Sequence, residues 1–142
     1  MPAPRAILQQ VADDFVANLN NFTSGEAWSN GRTPDAIHNI HPLSLAMPPN
    51  MNNDAMAKFL GGTLAKVHNL TVQPVENTTI LIDEQNHKIS LHLLGKGDTP
   101  AGPFTMEYIF TLKTTDDGKL VRESWEFVDS LTATQMAKSG KE

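Results

Sequence analysis

The chain contains no cysteine. Disulfides, thiolate nucleophiles and cysteine-ligated metals are thereby excluded, and the absence fits a reducing compartment. A basic surplus is missing too: 11 Lys and Arg stand against 16 Asp and Glu, giving a formal net charge of -5. Nucleic acid and anionic membranes need concentrated positive charge, so neither is expected as a partner. No apolar run approaches the roughly 20 residues of a membrane span. The opening segment MPAPRAILQQVADDF has one short apolar run soon followed by acids. It does not read as a secretory leader, and a cytoplasmic location is expected. Asn-x-Thr sequons at Asn21, Asn69 and Asn77 then read as chance in a chain rich in Asn and Thr. A phosphate-cradling loop is lacking, because Gly95-x-Gly97 leads into Asp98-Thr99-Pro100 and not into a helix. No Gly-x-Ser-x-Gly nucleophile elbow occurs.

What remains is ordinary globular material: 142 residues, 39% hydrophobic and 19% charged. That length suits one domain spanning residues 1–142, with a core and room for a cavity. Leu8, Val11, Phe15, Leu19 and Phe22 recur at helical steps and make one apolar stripe, with Pro4 in the first turn and Gly25 ending the pattern. A short helix at residues 26–30 would carry Trp28. Residues 36–41 form the first strand, stopped by Pro42, and Pro48-Pro49 marks a loop. Asn53 or Asp54 caps a second helix whose stripe is Met56, Phe59, Leu60, Leu64 and Val67. Gly61-Gly62 inside it costs roughly 1 kcal/mol per glycine, for which close packing is the expected compensation.

From residue 70 the period becomes that of strands. Residues 71–75, with Pro74 at an edge or bulge, lead to strands at 78–83 and 88–94 joined by a hairpin at 84–87. Residues 95–102 read as a flexible loop. Phe104, Met106, Tyr108, Phe110 and Leu112 alternate along a long strand at 103–114. A tight turn at Asp116-Asp117-Gly118 gives way to a last strand at 120–129, and residues 131–138 add a terminal helix. Helices first and a meander after imply an α+β fold with a largely antiparallel sheet. Such a sheet curls, and two amphipathic helices cover its hollow face without filling it, which leaves a pocket.

The last third, with Gly118-Lys119-Leu120, Trp125, Asp129 and Gln135-Met136, resembles the SnoaL-like branch of the NTF2-like superfamily. The middle, with Arg32-x-Pro34-Asp35, His38, Pro42 and Ser44, then Gly102-Pro103-Phe104 and Glu107-Tyr108, is similar to fungal SnoaL-like proteins of secondary metabolism. The resemblance implies an NTF2-like cone, a homodimer through the outer sheet face, and no metal or organic cofactor. It also implies an isomerase or cyclase acting by acid–base chemistry on an apolar polycyclic polyketide or terpenoid. Bacterial relatives often carry His before the strand Trp. Here that residue is Ser124, so a histidine role must fall elsewhere.

Moving a proton on an enolisable skeleton needs an acid/base pair and a group that steadies an oxyanion. His38, on the first strand and matching the fungal pattern, is the first acid/base candidate; the alternative is a core histidine bonded to a backbone carbonyl. Asp129 is the second. Beside Trp125 and Phe127 its carboxyl would be desolvated and its pKa raised, although Asp129-Ser130 could equally cap the last helix. Arg32 would hold a carboxylate or enolate oxygen at the pocket mouth, or pair with Asp35. Phe59, Met106 and Trp125 are expected to line the pocket. Glu107, opposite in parity to the aromatic stripe, joins them if its face is the concave one; otherwise it meets solvent or a dimer partner. Glu126 shares that ambiguity, since parity alone leaves the concave face open. His38-x-x-His41 has the wrong phase for a metal site. The competing reading is a ligand-binding or dimerisation module of the same cone. Two or more ionisable side chains converging inside would favour catalysis.

Overall fold

In the computed structural model, residues 2–21 and 24–139 are described, the side chains of 64 and 139 excepted. Helix α1 (Arg5–Asn20) is followed by a 3₁₀ turn (Gly25–Ser29), β1 (Arg32–His41), β2 (Met51–Asn52) and α2 (Asn53–Leu64). Then come β3 (His68–Pro74), β4 (Leu81–Asp83), β5 (Lys88–Thr99), β6 (Gly102–Thr114), β7 (Val121–Val128) and α3 (Ser130–Ser139). The seven strands form one sheet in the order β2-β1-β7-β6-β5-β3, with β4 also paired to β5. All pairs are antiparallel except β1 with β7. The fold is therefore α+β with a mixed, curved sheet. No described helix is long and apolar enough to cross a membrane.

Alternation decides the inner face. On β5 Ile89, Leu91 and Leu93 are buried, and on β6 so are Met106, Phe110 and Leu112. Helix α1 sets Leu8, Ala12 and Leu19 into the same core, with Val11 and Phe15 at its margin; Phe22 lies outside the described residues. Asn20 ends this helix by bonding edge strand β3. Its side-chain amide donates to Val72 O at 2.6 Å and accepts from Val72 N at 2.6 Å. An open strand edge is thus partly closed by a side chain that mimics backbone.

Several boundaries differ from expectation. Strand β1 starts at Arg32, four residues early, and residues 95–99 continue β5 where a flexible loop was expected. Residues 78–80 are not strand. The cap of α2 is Asn52, whose side chain accepts from Ala55 N at 2.8 Å. Of the expected α2 stripe, Met56 is buried but Phe59 is 41% exposed; the Leu64 side chain lies outside the described residues.

The glycine pair is not explained by close packing, because a Cβ at Gly61 or Gly62 would meet nothing within 4 Å. The close approach is made by Gly25, where a Cβ would lie 2.0 Å from Ala57 O on α2. Gly61→Ala and Gly62→Ala are each expected to raise unfolding free energy by up to about 1 kcal/mol. Gly25→Ala is expected to lower it. Denaturant midpoints for the variants check both signs.

Candidate active site

Strands β1 and β7 run parallel, with His38 opposite Ser124 and Ile40 opposite Glu126. These positions share the inner face. Between the Arg32–Val121 and Ile37–Glu123 pairs the register shifts, because β1 carries extra residues there. The bulge brings Arg32 inward as well, and its Nη2 spans the irregularity to donate to Ile37 O at 3.2 Å.

A row of polar groups results. Arg32 Nη2 donates to Ser124 Oγ at 2.9 Å, and His38 Nδ1 lies 2.6 Å from the same oxygen. His38 Nε2 is 2.7 Å from Glu126 Oε1. His38 and Ser124 are wholly buried, Arg32 is 7% exposed and the Glu126 side chain 12%. Aromatic rings enclose the row. Trp28 stands edge-on to His38 at 4.7 Å, Phe110 stacks on it at 6.3 Å, and Arg32 Cζ lies 4.7 Å from the Trp28 ring centre. Burial lowers the Arg32 pKa to about 10, which leaves it charged near neutrality. Tyr108, also on the inner face, has its pKa pushed up by burial first and by the Glu126 charge second. It can donate a hydrogen bond but cannot act as a base near neutral pH. Burying each ion costs several kcal/mol, so such a row is a poor stabiliser, and perturbed groups of this kind gather where chemistry is done.

One end of the row reaches a cleft of about 350 Å³, within the range of small-molecule sites. Phe15, Asn18 and Leu19 of α1 form one wall, and Trp28, Arg32 and Val121 another. Arg32 Nε, Arg32 Nη1 and Trp28 Nε1 are buried without a hydrogen-bond partner among the described residues. Unmet donors of this kind are rare in folded proteins and call for an acceptor.

Arg32 and His38 are thus brought together through Ser124. His38 faces the interior, with both ring nitrogens engaged. Met106 points inward as a core residue, 7% exposed, and is not among the residues that line the cleft. The other candidates sit elsewhere. Phe59 is on α2 and takes no part in the cleft. Glu107 faces the outer side of β6, where His92 Nε2 lies 2.5 Å from its Oε2. Trp125 is opposite Asn39 and Thr111, on the outer face with Phe127, which is 58% exposed.

Asp129 caps α3. It accepts from Thr132 N at 3.2 Å and from the Thr132 hydroxyl at 2.8 Å. Those bonds lower its pKa, where a desolvated acid would have had it raised. A depressed carboxyl contributes stability that is present at neutral pH and lost as acid protonates it. Asp129→Ala is therefore expected to cost about 1 kcal/mol of stability at pH 7, less in acid, and to leave turnover unchanged. Chemical unfolding at two pH values, beside an activity assay, checks this.

The sequence alone singles out neither Ser124, Trp28 nor Tyr108 for the site, and it leaves Glu126 open. The available signal was turn length. Even-numbered residues of β6 pair with even-numbered residues of β7, as in Phe110–Glu126 and Leu112–Ser124. Once the aromatic stripe of β6 is inward, Ser124 and Glu126 are inward too.

No family model matches the chain. It is 29% identical over 138 residues to austinoid biosynthesis clusters protein H of Penicillium brasilianum, spanning 97% of this chain and 93% of that protein. It is 30% identical over 132 residues to a Cryptosporiopsis sp. protein named monooxygenase dmxR10, spanning 92% and 85% respectively. The crystal structure of BvnE pinacolase from Penicillium brevicompactum matches with a TM-score of 0.89 at 25% identity, over 94% of this chain and 90% of that one. The chain belongs to the SnoaL-like, NTF2-like proteins of fungal secondary metabolism.

Proposed function

We propose that this protein is a cofactor-independent isomerase or cyclase that rearranges an apolar polycyclic secondary metabolite by acid–base chemistry. The observation that carries this reading is the buried row Arg32–Ser124–His38–Glu126, which meets the cleft through Arg32, the one member of the four that lines it. Glu126 is the proton acceptor and later donor. Its Oε1 is held by His38, and Oε2 takes no hydrogen bond among the described residues. His38 is sealed and acts through Glu126. The unmet donors of Arg32 receive the oxygen on which negative charge develops. The names of the relatives support a place in secondary-metabolite biosynthesis, and the pinacolase supports a catalytic role.

Deleting the gene in its host and analysing extracts by mass spectrometry tests the reaction class. Loss of a product and accumulation of a precursor of the same mass is expected. A precursor one water heavier would indicate a dehydratase, and one oxygen atom lighter an oxygenase; either result removes the isomerase reading.

A second copy of the chain covers the outer sheet face, where Ile109 is 46% and Phe127 58% exposed beside Trp125. Sedimentation equilibrium should give the dimer mass, and Phe127→Arg the monomer mass. A monomer at micromolar concentration in the unaltered protein ends this part of the reading.

A further inference from the structure

Arg32 and His38 share one oxygen. Ser124 Oγ lies 2.9 Å from Arg32 Nη2 and 2.6 Å from His38 Nδ1, in a site where Ser124 and His38 have no exposure. A guanidinium offers only donors. Arg32 therefore occupies one lone pair of Oγ, and the serine proton must be placed elsewhere. His38 Nδ1 is the other partner of that oxygen among the described residues.

If the hydroxyl donates to Nδ1, that nitrogen is a bare acceptor. The ring then carries its one proton on Nε2 and donates to Glu126 Oε1 at 2.7 Å, so the serine hydrogen and the ring hydrogen both find acceptors. Other placements fail. A proton on Nδ1 alone strands the serine hydrogen in a buried site and sets the Nε2 lone pair against a carboxylate. A proton on both nitrogens also strands the serine hydrogen, and it crowds two cations onto one oxygen.

Among the described residues, the row and its surroundings carry Arg32 from β1, Glu126 from β7 and Tyr108 from β6, with Asp14 of α1 and Lys119 lining the cleft at the Arg32 end. Trp28 and Phe110, which enclose the ring, carry none. A carboxylate on Nε2 with nothing opposing it draws a second proton onto an imidazole.

We infer that Ser124, oriented by Arg32, is a positioning residue that keeps the second proton off His38. The ring stays neutral with its hydrogen on Nε2, and Glu126 stays an ionised carboxylate fixed at one oxygen. The hydrogen bond at one imidazole nitrogen governs the protonation of the other. This rests on reading Glu126 as the acid–base group, but its test needs no turnover.

Long-range proton–nitrogen correlation spectra of the full chain, labelled with ¹⁵N-histidine at neutral pH, read both ring nitrogens directly. In the unaltered protein His38 should show a bare Nδ1 and a protonated Nε2. In Ser124→Ala the Nδ1 signal should move to the protonated range. In Arg32→Met it should do the same, because the freed hydroxyl can turn and accept from Nδ1–H. Ser124→Thr should restore the bare Nδ1. A protonated Nδ1 in the unaltered protein overturns the inference, as does a bare Nδ1 surviving in the variants. Should Ser124→Ala not fold, Arg32→Met decides. A bare Nδ1 alongside full turnover in Glu126→Gln would remove the role of Glu126 alone. A protonated Nδ1 alongside an inactive Glu126→Gln would remove the role of Ser124 alone.

Discussion

Glu126→Gln is expected to lower turnover of the accumulated precursor by a factor of about 10²–10⁴, the scale for losing a positioned acid–base group. The change is small in shape: glutamine keeps an oxygen where His38 Nε2 donates at 2.7 Å, so the neighbouring hydrogen bond survives. What disappears is the capacity to accept a proton. The loss should fall on kcat, with KM close to unchanged, because Glu126 is not among the residues that line the cleft and glutamine leaves that lining as it is. Stability should move by no more than about 1 kcal/mol, the usual net worth of a hydrogen bond. Asp129→Ala supplies the contrast, being a helix cap bonded to Thr132. Stopped-flow or end-point product assays on the two variants read the difference. Wild-type turnover in Glu126→Gln would leave the row without its chemical group.

The difference between these two acids shows how far sequence reasoning reaches. Periodicity locates α1, α2, β6 and β7, because apolar residues there repeat at the period each element requires. The inward turn of His38 follows from the same alternation. The wall of the chamber is harder to read. On β7 the residues Trp125 and Phe127 are more apolar than Ser124 and Glu126, so hydrophobicity alone selects the face that lies outside. The side-chain period of a strand is two, and a single residue in the preceding turn exchanges its faces.

Here the segment 115–120 closes with Thr115 N donating to Leu120 O at 2.8 Å, and the register shifts between Lys113 and Thr114. That local geometry decides which β7 residues meet the aromatic stripe. The bulge that brings Arg32 inward is hidden for a related reason: Pro34 and Asp35 look like a loop, and only the pairing of Arg32 with Val121 makes them part of β1. Residues 95–99 look like a loop because of their glycines. They are strand because β3 and β6 pair with them on both sides. At Gly97 a Cβ would lie 2.8 Å from the Phe104 ring, so that glycine is required by a close ring and not by a turn.

Arg32→Met is expected to reduce turnover by about 10²–10³, the scale for removing a donor aimed at developing negative charge. Its effect on stability should be far smaller and of either sign. Methionine fills similar volume and removes the expense of burying a guanidinium, so an apolar replacement can be neutral or even favourable. Against that, Ser124 Oγ and Ile37 O lose a donor, which costs about 1–3 kcal/mol if nothing else reaches them. These terms oppose each other and leave a change of at most about 2 kcal/mol. A cation retained solely for structure would behave differently, with unfolding and loss of activity in proportion. Arg32→Lys separates charge from shape. A lysine offers a point charge without the fork that lets Nη2 hold Ser124 while Nε and Nη1 remain for a ligand, so it should recover only part of the lost rate. Urea unfolding and turnover measured on both variants decide the matter. Full activity in Arg32→Met would show that the cleft does not use its buried cation.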